Sequence, residues 1–357
     1  MTVERDVVDR IGTDGAYRHR EAEPSPIDRG FGRAFLTTAA VLVALLGGVN
    51  MLVDPLGAFG TGLLPPAISR DRDFKAVHFR RNVLPPEIVV IGSSRVQRFD
   101  PACIQALTGR PAFNFGVTAG STADYLAILR YMRDSPVFRV RQILVGVEPE
   151  TFQGSEGIER ALNESRLLRR FVPDSSPPPW TLGADLLGWQ SLGAALSSIG
   201  YALFGKASTT EHQRDGFPIG RVTVPRLQPT QVLKSVPSIL TRYAFFPRLE
   251  PTRVAYLRTF LEEARSAGIE VFAFIPPVHP ALTRAAEGSG LPDRTAETVA
   301  LLEELEREGL LRYVETRDLA TFGGDPIYFF DAIHMMPENS FRLLAYLYGQ
   351  PGGCALQ

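Results

Sequence analysis

Two short stretches hold the residue types from which an activated nucleophile can be built. They are Gly92-Ser93-Ser94, near the start of the globular part, and Asp331-Ala332-Ile333-His334, near its end. A serine hydroxyl is a weak nucleophile until an imidazole takes its proton and a carboxylate orients that imidazole. The Asp-x-x-His step puts carboxylate and ring on one loop or helix start, within reach of each other. Ser94 follows the apolar run Ile88–Ile91 and so falls at the mouth of a strand-to-helix turn. The chain order Ser, Asp, His is neither that of chymotrypsin nor that of subtilisin, but such triads are defined by geometry rather than order. The chemistry expected is acyl-group chemistry at Ser94, with His334 as its base and Asp331 orienting the ring.

Each of these residues also has a structural reading. Ser94 can cap the helix that follows it, and Asp331 can cap a helix begun near His334; their joint occurrence favours catalysis. Arg95, at the first turn of a helix, meets an anionic substrate group or pairs with a neighbouring acid. Glu148 is a structural partner or faces the site. His279, in the rigid loop Pro276-Pro277-Val278-His279-Pro280, contacts substrate or stands at the surface. No metal is expected, because none of the five histidines forms a pair with ligand spacing on a helix. The glycines of 116–120 do not follow the dinucleotide-binding pattern, so no cofactor is expected either.

The elements that must position these groups read as alternating strands and helices. Strands are expected at Ile88–Ile91, Pro111–Phe115, Gln142–Val147 and Ile269–Ile275, with a short one near Tyr313–Glu315. Between them lie helical patterns: Pro101–Leu107 behind Asp100, a helix capped by Ser121 or Thr122 and ending near Arg133, Pro251–Ala267, Arg294–Glu308 and Pro337–Tyr348. Short continuous apolar strands separated by helices imply a mostly parallel sheet covered on both faces, a three-layer α/β sandwich of flavodoxin-like type. In such sheets sites form outside the carboxyl ends of the strands. Ser94, Gly116–Gly120, Glu148, Pro276–His279 and Asp331–His334 all fall there.

With 357 residues and 45% hydrophobic content the chain can bury a sizeable core, and a net charge of -1 argues against nucleic acid as a partner. Ala34–Val53 is an uncharged run of 20 residues, preceded by Arg29 and Arg33, with the next basic residue at Arg70. That length matches a bilayer core, and the positive-inside rule places the N-terminal side in the cytoplasm. The domains expected are a disordered cytoplasmic tail (1–33), a transmembrane helix (34–53), a stalk or packing segment with a basic cluster (54–86) and an α/β domain (87–357). An insertion of about 153–247 interrupts that domain and could cap its active edge. Within it, Leu182–Phe204 is not read as a second span, because Asp185, Gln190 and several glycines and serines dilute it. Outside the cytoplasm a Cys103–Cys354 bridge is permitted; the sequence leaves that pairing and two separate thiols equally open.

The quoted blocks resemble the SGNH (GDSL-like) hydrolase superfamily, and more narrowly its membrane-anchored branch of envelope-polymer modifying proteins. That branch includes the alginate O-acetylation and teichoic-acid D-alanylation proteins. Gly92-Ser93-Ser94-Arg95 is similar to the nucleophile block, Asn114-Phe115-Gly116-Val117-Thr118-Ala119-Gly120-Ser121-Thr122 to the glycine block and Asp331–His334 to the last block. The likeness spans residues 88–350 apart from the insertion. It implies Ser94, His334 and Asp331 as the triad, with an oxyanion held by N–H groups of Ser94 and of Gly116 or Gly120. It further implies a serine esterase or O-acyltransferase, with acetyl as the acyl group, acting on an envelope or secreted polysaccharide. The location implied is a bacterial inner membrane with the domain periplasmic or extracellular, beside a membrane partner that transports the acyl group. Two positions depart from the family: Ser93 stands where an Asp is usual, and Glu148 where an Asn donates to the oxyanion. An ionised glutamate cannot donate, and one such donor is worth about 3 kcal/mol of transition-state stabilisation. The second reading is therefore a catalytically impaired scaffold that binds polymer or an assembly partner.

Overall fold

The computed structural model describes residues 26–55, 64, 71–154, 160–163, 165–172, 183, 186–204, 215–217, 229–350 and 354. The chain forms two compact units, residues 1–47 and 48–357. The first is described through helix α1, Pro26–Val53, whose last turn belongs to the second unit. Within Gly30–Val53 an 18-residue window reaches a mean hydropathy of 2.1, and the helix is long and apolar enough to cross a membrane. The described helix already covers 26–33, ahead of the apolar run, so these residues are helical rather than disordered. Extending an existing helix adds one hydrogen bond per residue without a new nucleation cost, so the helix of the apolar run reaches into this segment. The rest of the expected tail lies outside the described residues.

In the second unit five strands form one parallel sheet: β1 (Ile88–Ile91), β2 (Ala112–Asn114), β3 (Gln142–Gly146), β4 (Glu270–Phe274) and β5 (Arg312–Val314). Their order is β2-β1-β3-β4-β5. Every residue of β1, β2 and β3 is buried, as expected of mostly apolar strands covered on both sides. The chain steps outward from β1 to β2 and then returns across the sheet to β3. Right-handed crossovers therefore put the two connecting helices, α3 (Pro101–Thr108) and α4 (Thr122–Arg133), on opposite faces. The direction reverses between β1 and β3, so the carboxyl ends of those two strands flank the crevice where ligands bind in such sheets. Ser94 follows β1 and Glu148 follows β3.

The helix ends obey local chemistry. Asp100 accepts the Ala102 N–H at 2.8 Å to start α3, and Asp124 accepts the Ser121 N–H at 2.9 Å to start α4. Helix α2 (Asp71–Arg80) sits within the expected stalk, and its Ala76 and Phe79 join the core, where Phe79 meets the edge of Phe113. The insertion contributes α5 (Arg160–Asn163), α6 (Trp189–Phe204) and α7 (Pro229–Tyr243). The buried Val232, Val236, Ile239 and Tyr243 repeat at helical spacing and seat α7 in the core. Trp180, Pro173, Pro177–Pro179 and the polar linker 208–214 lie outside the described residues.

After the insertion come α8 (Pro251–Ser266), packed on α4, then α9 (Pro280–Ala285), α10 (Leu291–Arg307) and α11 (Pro337–Leu347), packed on α3. The contact between α3 and α11 brings the segments that carry Cys103 and Cys354 together. They are bridged, with Cα atoms 5.5 Å apart, which resolves the choice left open by the sequence.

Candidate active site

The nucleophile turn is built directly on β1. Ser93 is extended and its hydroxyl accepts the Arg95 N–H at 3.2 Å, starting a single 3-10 turn over Ser94–Val96. That places Ser94 at the first position of the turn, with its side chain half-buried at the sheet's carboxyl edge.

Some 240 residues later, Asp331 organises its own loop. One carboxylate oxygen accepts the backbone N–H groups of Ile333 and His334, at 2.9 and 2.8 Å, and the other faces His334 Nδ1 at 2.8 Å. The Phe330 N–H donates to the His334 carbonyl at 2.9 Å, and Phe329 pairs with Met335 as an antiparallel bridge, so the loop closes on itself. Two outside bonds fix its position: Ala332 N–H to Ser235 Oγ on α7 and His279 N–H to the Ala332 carbonyl, both 2.9 Å. The remaining ring nitrogen, His334 Nε2, lies 2.8 Å from Ser94 Oγ. An ionised carboxylate only accepts, so the hydrogen on Nδ1 belongs to the bond with Asp331 and Nε2 is left to take the serine proton. Burial pushes the Asp331 carboxyl up. The bond and charge of His334 with the two backbone N–H groups outweigh that, and the carboxyl is held below its ordinary value.

Ser94 and His334 open on a cavity of about 220 Å³. Phe330, Met335, Met336 and Pro337 give it an apolar wall, and Gln97 and Arg98 line it with polar groups. This is smaller than the pockets that hold drug-sized ligands, of about 300 Å³ and more. Arg98 has neither a hydrogen bond nor an ion pair to any described residue, and burial lowers its pKa.

The glycine block does a different job from the one expected. The Gly116 N–H donates to Asn114 Oδ1 at 2.8 Å and the Gly120 N–H to the Val117 carbonyl at 3.1 Å, so both hydrogens are committed inside the loop. Their glycine identity is set by close approach. A Cβ on Gly120 would stand 2.6 Å from the Gly92 carbonyl oxygen, and one on Gly116 would meet Val96 at 2.8 Å. Asn114 ties the same loop to the nucleophile turn, donating to the carbonyls of Val96 and Phe99 at 2.9 and 2.8 Å. The backbone N–H of Ser94 has no acceptor among the described residues and remains the oxyanion donor that the turn itself supplies.

Three charged residues of α2 hold this loop, and the sequence pattern alone assigned them only to a basic stalk. Asp71 accepts the Thr118 N–H and the Gln97 amide, the latter at 3.2 Å. Arg72 donates to the Thr118 carbonyl at 3.1 Å and grips Asp124 at 2.7 and 3.1 Å. Lys75 is fully buried and donates to the Gly116 carbonyl at 2.6 Å. Burial brings its pKa down to about 8 against the opposing pull of Asp71 and Asp215. The clamp spans Ala119, a non-glycine residue at φ 50°, a conformation that persists only when its surroundings impose it. Mixed charge at 71–75 was the available signal, but nothing local says that these charges point inward.

The remaining expected site residues lie behind or beside the cavity. Arg95 lines it, yet its guanidinium is buried, donates to the Pro276 and Pro277 carbonyls and pairs with Glu150 at 3.5 Å, so it is the neighbouring-acid partner. Glu148 is buried beneath the nucleophile turn, outside the cavity lining. Burial raises its carboxyl; Arg95 opposes, Glu150 adds and the Ser93 hydroxyl opposes, leaving it at about 7. His279 caps α9, its Nδ1 accepting the Ala281 N–H at 3.0 Å and its ring set edge-on to Phe329. It is not part of the cavity wall and touches the catalytic loop through its backbone bond to Ala332 and its ring contact with Phe329. Among the described residues no group of three His, Cys, Asp or Glu side chains converges where a metal ion would sit.

No protein-family model matches the chain, and no curated protein does. Among solved structures it is similar to a Bacteroides fragilis protein described as a "putative acylhydrolase", with 9% identity and a TM-score of 0.38 over 76% of this chain and 90% of that one. It is also similar to a Streptococcus pneumoniae protein described as a "putative platelet activating factor", with 12% identity and a TM-score of 0.36 over 78% of this chain and 92% of that one. Likeness at this level carries no argument about activity, and the functional case rests on the side chains themselves.

Proposed function

We propose that this protein is a membrane-anchored serine esterase or O-acyltransferase. The observation that carries the proposal is the unbroken relay from Ser94 Oγ to His334 Nε2 and from His334 Nδ1 to Asp331, each link 2.8 Å. As His334 accepts the serine proton, Ser94 Oγ bonds to the acyl carbonyl carbon of an ester. The resulting oxyanion draws on the Ser94 N–H. Collapse expels the alcohol, which leaves with the proton from His334, and Ser94 holds the acyl group. Water or an acceptor hydroxyl then gives its proton to His334, attacks the acyl-serine and restores the enzyme. The cavity's small volume and apolar wall favour a short acyl group such as acetyl.

Several observations support the setting. Asn50, Val53 and Asp54, at the end of α1, are buried in the second unit, and Asn50 donates to the Leu186 carbonyl at 2.7 Å. A cleaved leader would take those contacts away, so α1 is read as a permanent anchor. Arg29 and Arg33 precede its apolar run, which orients the N-terminal side to the cytoplasm of a bacterial inner membrane and the domain to the far side. The Cys103–Cys354 bridge fits that oxidising compartment. An envelope or secreted polysaccharide is the substrate class proposed, with a membrane acyl-transporter as donor-side partner; both rest on the resemblance of the sequence blocks. The committed N–H groups of Gly116 and Gly120, with Glu148 in place of a donor, favour the second reading of a binding scaffold. Labelling of the chain by a fluorophosphonate probe decides between them. Labelling that is lost in Ser94→Ala and His334→Ala is the expected result. An unlabelled, well-folded chain that also leaves a small acetyl ester untouched selects the scaffold.

A further inference from the structure

Helix α6 is put together the wrong way round for water. Its buried side is made of small residues, two of them hydroxyl-bearing: Ser191, Ala194, Ala195 and Ser198, spaced as one helical face. Its outward side carries Trp189, Leu196 and Leu203, seven residues apart and so in one stripe, with Phe204 beside them. These are 85%, 61%, 72% and 78% exposed. Leu187, just before the helix, is outward as well. No charged residue occurs from Leu186 to Phe204.

A helix that faces water keeps its apolar stripe inward and its polar residues outward. Where the surroundings are lipid the preference inverts, with small and hydroxyl-bearing residues at the protein-facing side and large apolar ones outside. The position of α6 in the fold agrees. The carbonyl of Leu186, just ahead of it, accepts the side-chain amide of Asn50 in the last turn of α1, and Asn50 is fully buried. Since α1 is the membrane anchor of the reading above, that bond ties the segment that starts α6 to the last turn of the anchor helix. Trp189 stands three residues beyond Leu186, and tryptophan is enriched at membrane interfaces. The 16 residues of α6 give about 24 Å of helix, short of the roughly 30 Å of a bilayer core.

We propose that α6 is a lipid-contacting helix, embedded in the leaflet next to the α/β domain with the Trp189–Leu196–Leu203 stripe against acyl chains. The domain then has a second hold on the bilayer beside α1. Because α7, the next helix described after α6, carries Ser235 beneath the catalytic loop, the same insertion links the membrane surface to the site.

The test uses the full unaltered chain in proteoliposomes containing a lipid with a carbene-generating group in its acyl chain. After photolysis and peptide mapping, both the 30–53 segment and the 186–204 segment should carry lipid adducts. Adducts at 30–53 without any at 186–204 overturn the inference and leave the anchor standing. Absence at both, in protein that does not float with the liposomes, overturns anchor and inference together. Trp180→Phe gives an independent reading, since the chain has two tryptophans and Trp189 then reports alone. Its emission should be blue-shifted, quenched by brominated acyl chains and insensitive to aqueous acrylamide. In Leu196→Glu/Leu203→Glu the bromolipid quenching should be lost while flotation persists. Emission typical of an indole in water, quenched by acrylamide, refutes the proposal.

Discussion

Replacing Asp331 by asparagine separates the chemistry of the triad from the folding of its loop. The loop depends on Oδ1, which accepts the Ile333 and His334 N–H groups at 2.9 and 2.8 Å; the chemistry depends on Oδ2, 2.8 Å from His334 Nδ1. In Asp331→Asn the two backbone donors keep the amide oxygen on their side, because the flipped amide would face donors with a donor. The amide nitrogen then meets Nδ1 and forces it to accept. The ring hydrogen moves to Nε2, which points at Ser94 Oγ and can no longer take its proton. A tautomer error of this kind costs about 10⁴-fold in turnover, or about 5 kcal/mol of barrier. The stability loss is expected to be smaller, one charge-assisted bond of about 1.5–3 kcal/mol at most, since both side chains keep partial solvent contact. Asp331→Ala removes all three bonds and mixes the two effects. The assay is the second-order rate of fluorophosphonate labelling, with hydrolysis of a small acetyl ester beside it and thermal unfolding as the control. A folded Asp331→Asn protein that labels within about tenfold of wild type would refute the relay.

Three further outcomes are expected. Glu148 holds its proton up to about pH 7 in the folded state and to about 4.5 when unfolded, so wild-type stability falls as pH rises through that window. The fall is about 3 kcal/mol, and Glu148→Gln should abolish it in denaturant titrations from pH 4 to 8; an unchanged slope counts against the burial argument. Lys75→Met leaves the Gly116 carbonyl without its buried donor. It should cost about 1–3 kcal/mol by denaturant unfolding and slow Ser94 labelling as the loop loosens, while a change at Thr118 alone should do neither. Arg98→Gln should raise KM for an ester with an anionic group near the acyl function about tenfold or more and leave a neutral ester unaffected; equal effects on both would show that Arg98 only shapes the cavity.

Strands, helices and the order of the chemistry-bearing segments are legible in the amino-acid sequence because each is set by neighbours along the chain. The apolar run at 88–91, Asp100 before Pro101 and the cap at Ser121 or Thr122 each specify an element without reference to distant residues. The alternation of such elements restricts the topology to a parallel sheet with the expected edge. Asp331 and His334 are legible for the same reason, as a carboxylate three residues from an imidazole makes its own loop. What only the tertiary structure decided is partnership across the chain. Whether Cys103 bonds Cys354, whether Arg95 faces substrate or Glu150, and whether Gly116 offers its N–H outward or to Asn114 depend on distances between segments far apart in sequence. The inward charges of α2 and the outward apolar face of α6 go against what local composition suggests. Burial of a charge is settled by the partner that meets it, and exposure of a leucine by the solvent it faces, and neither is written in the residues alongside.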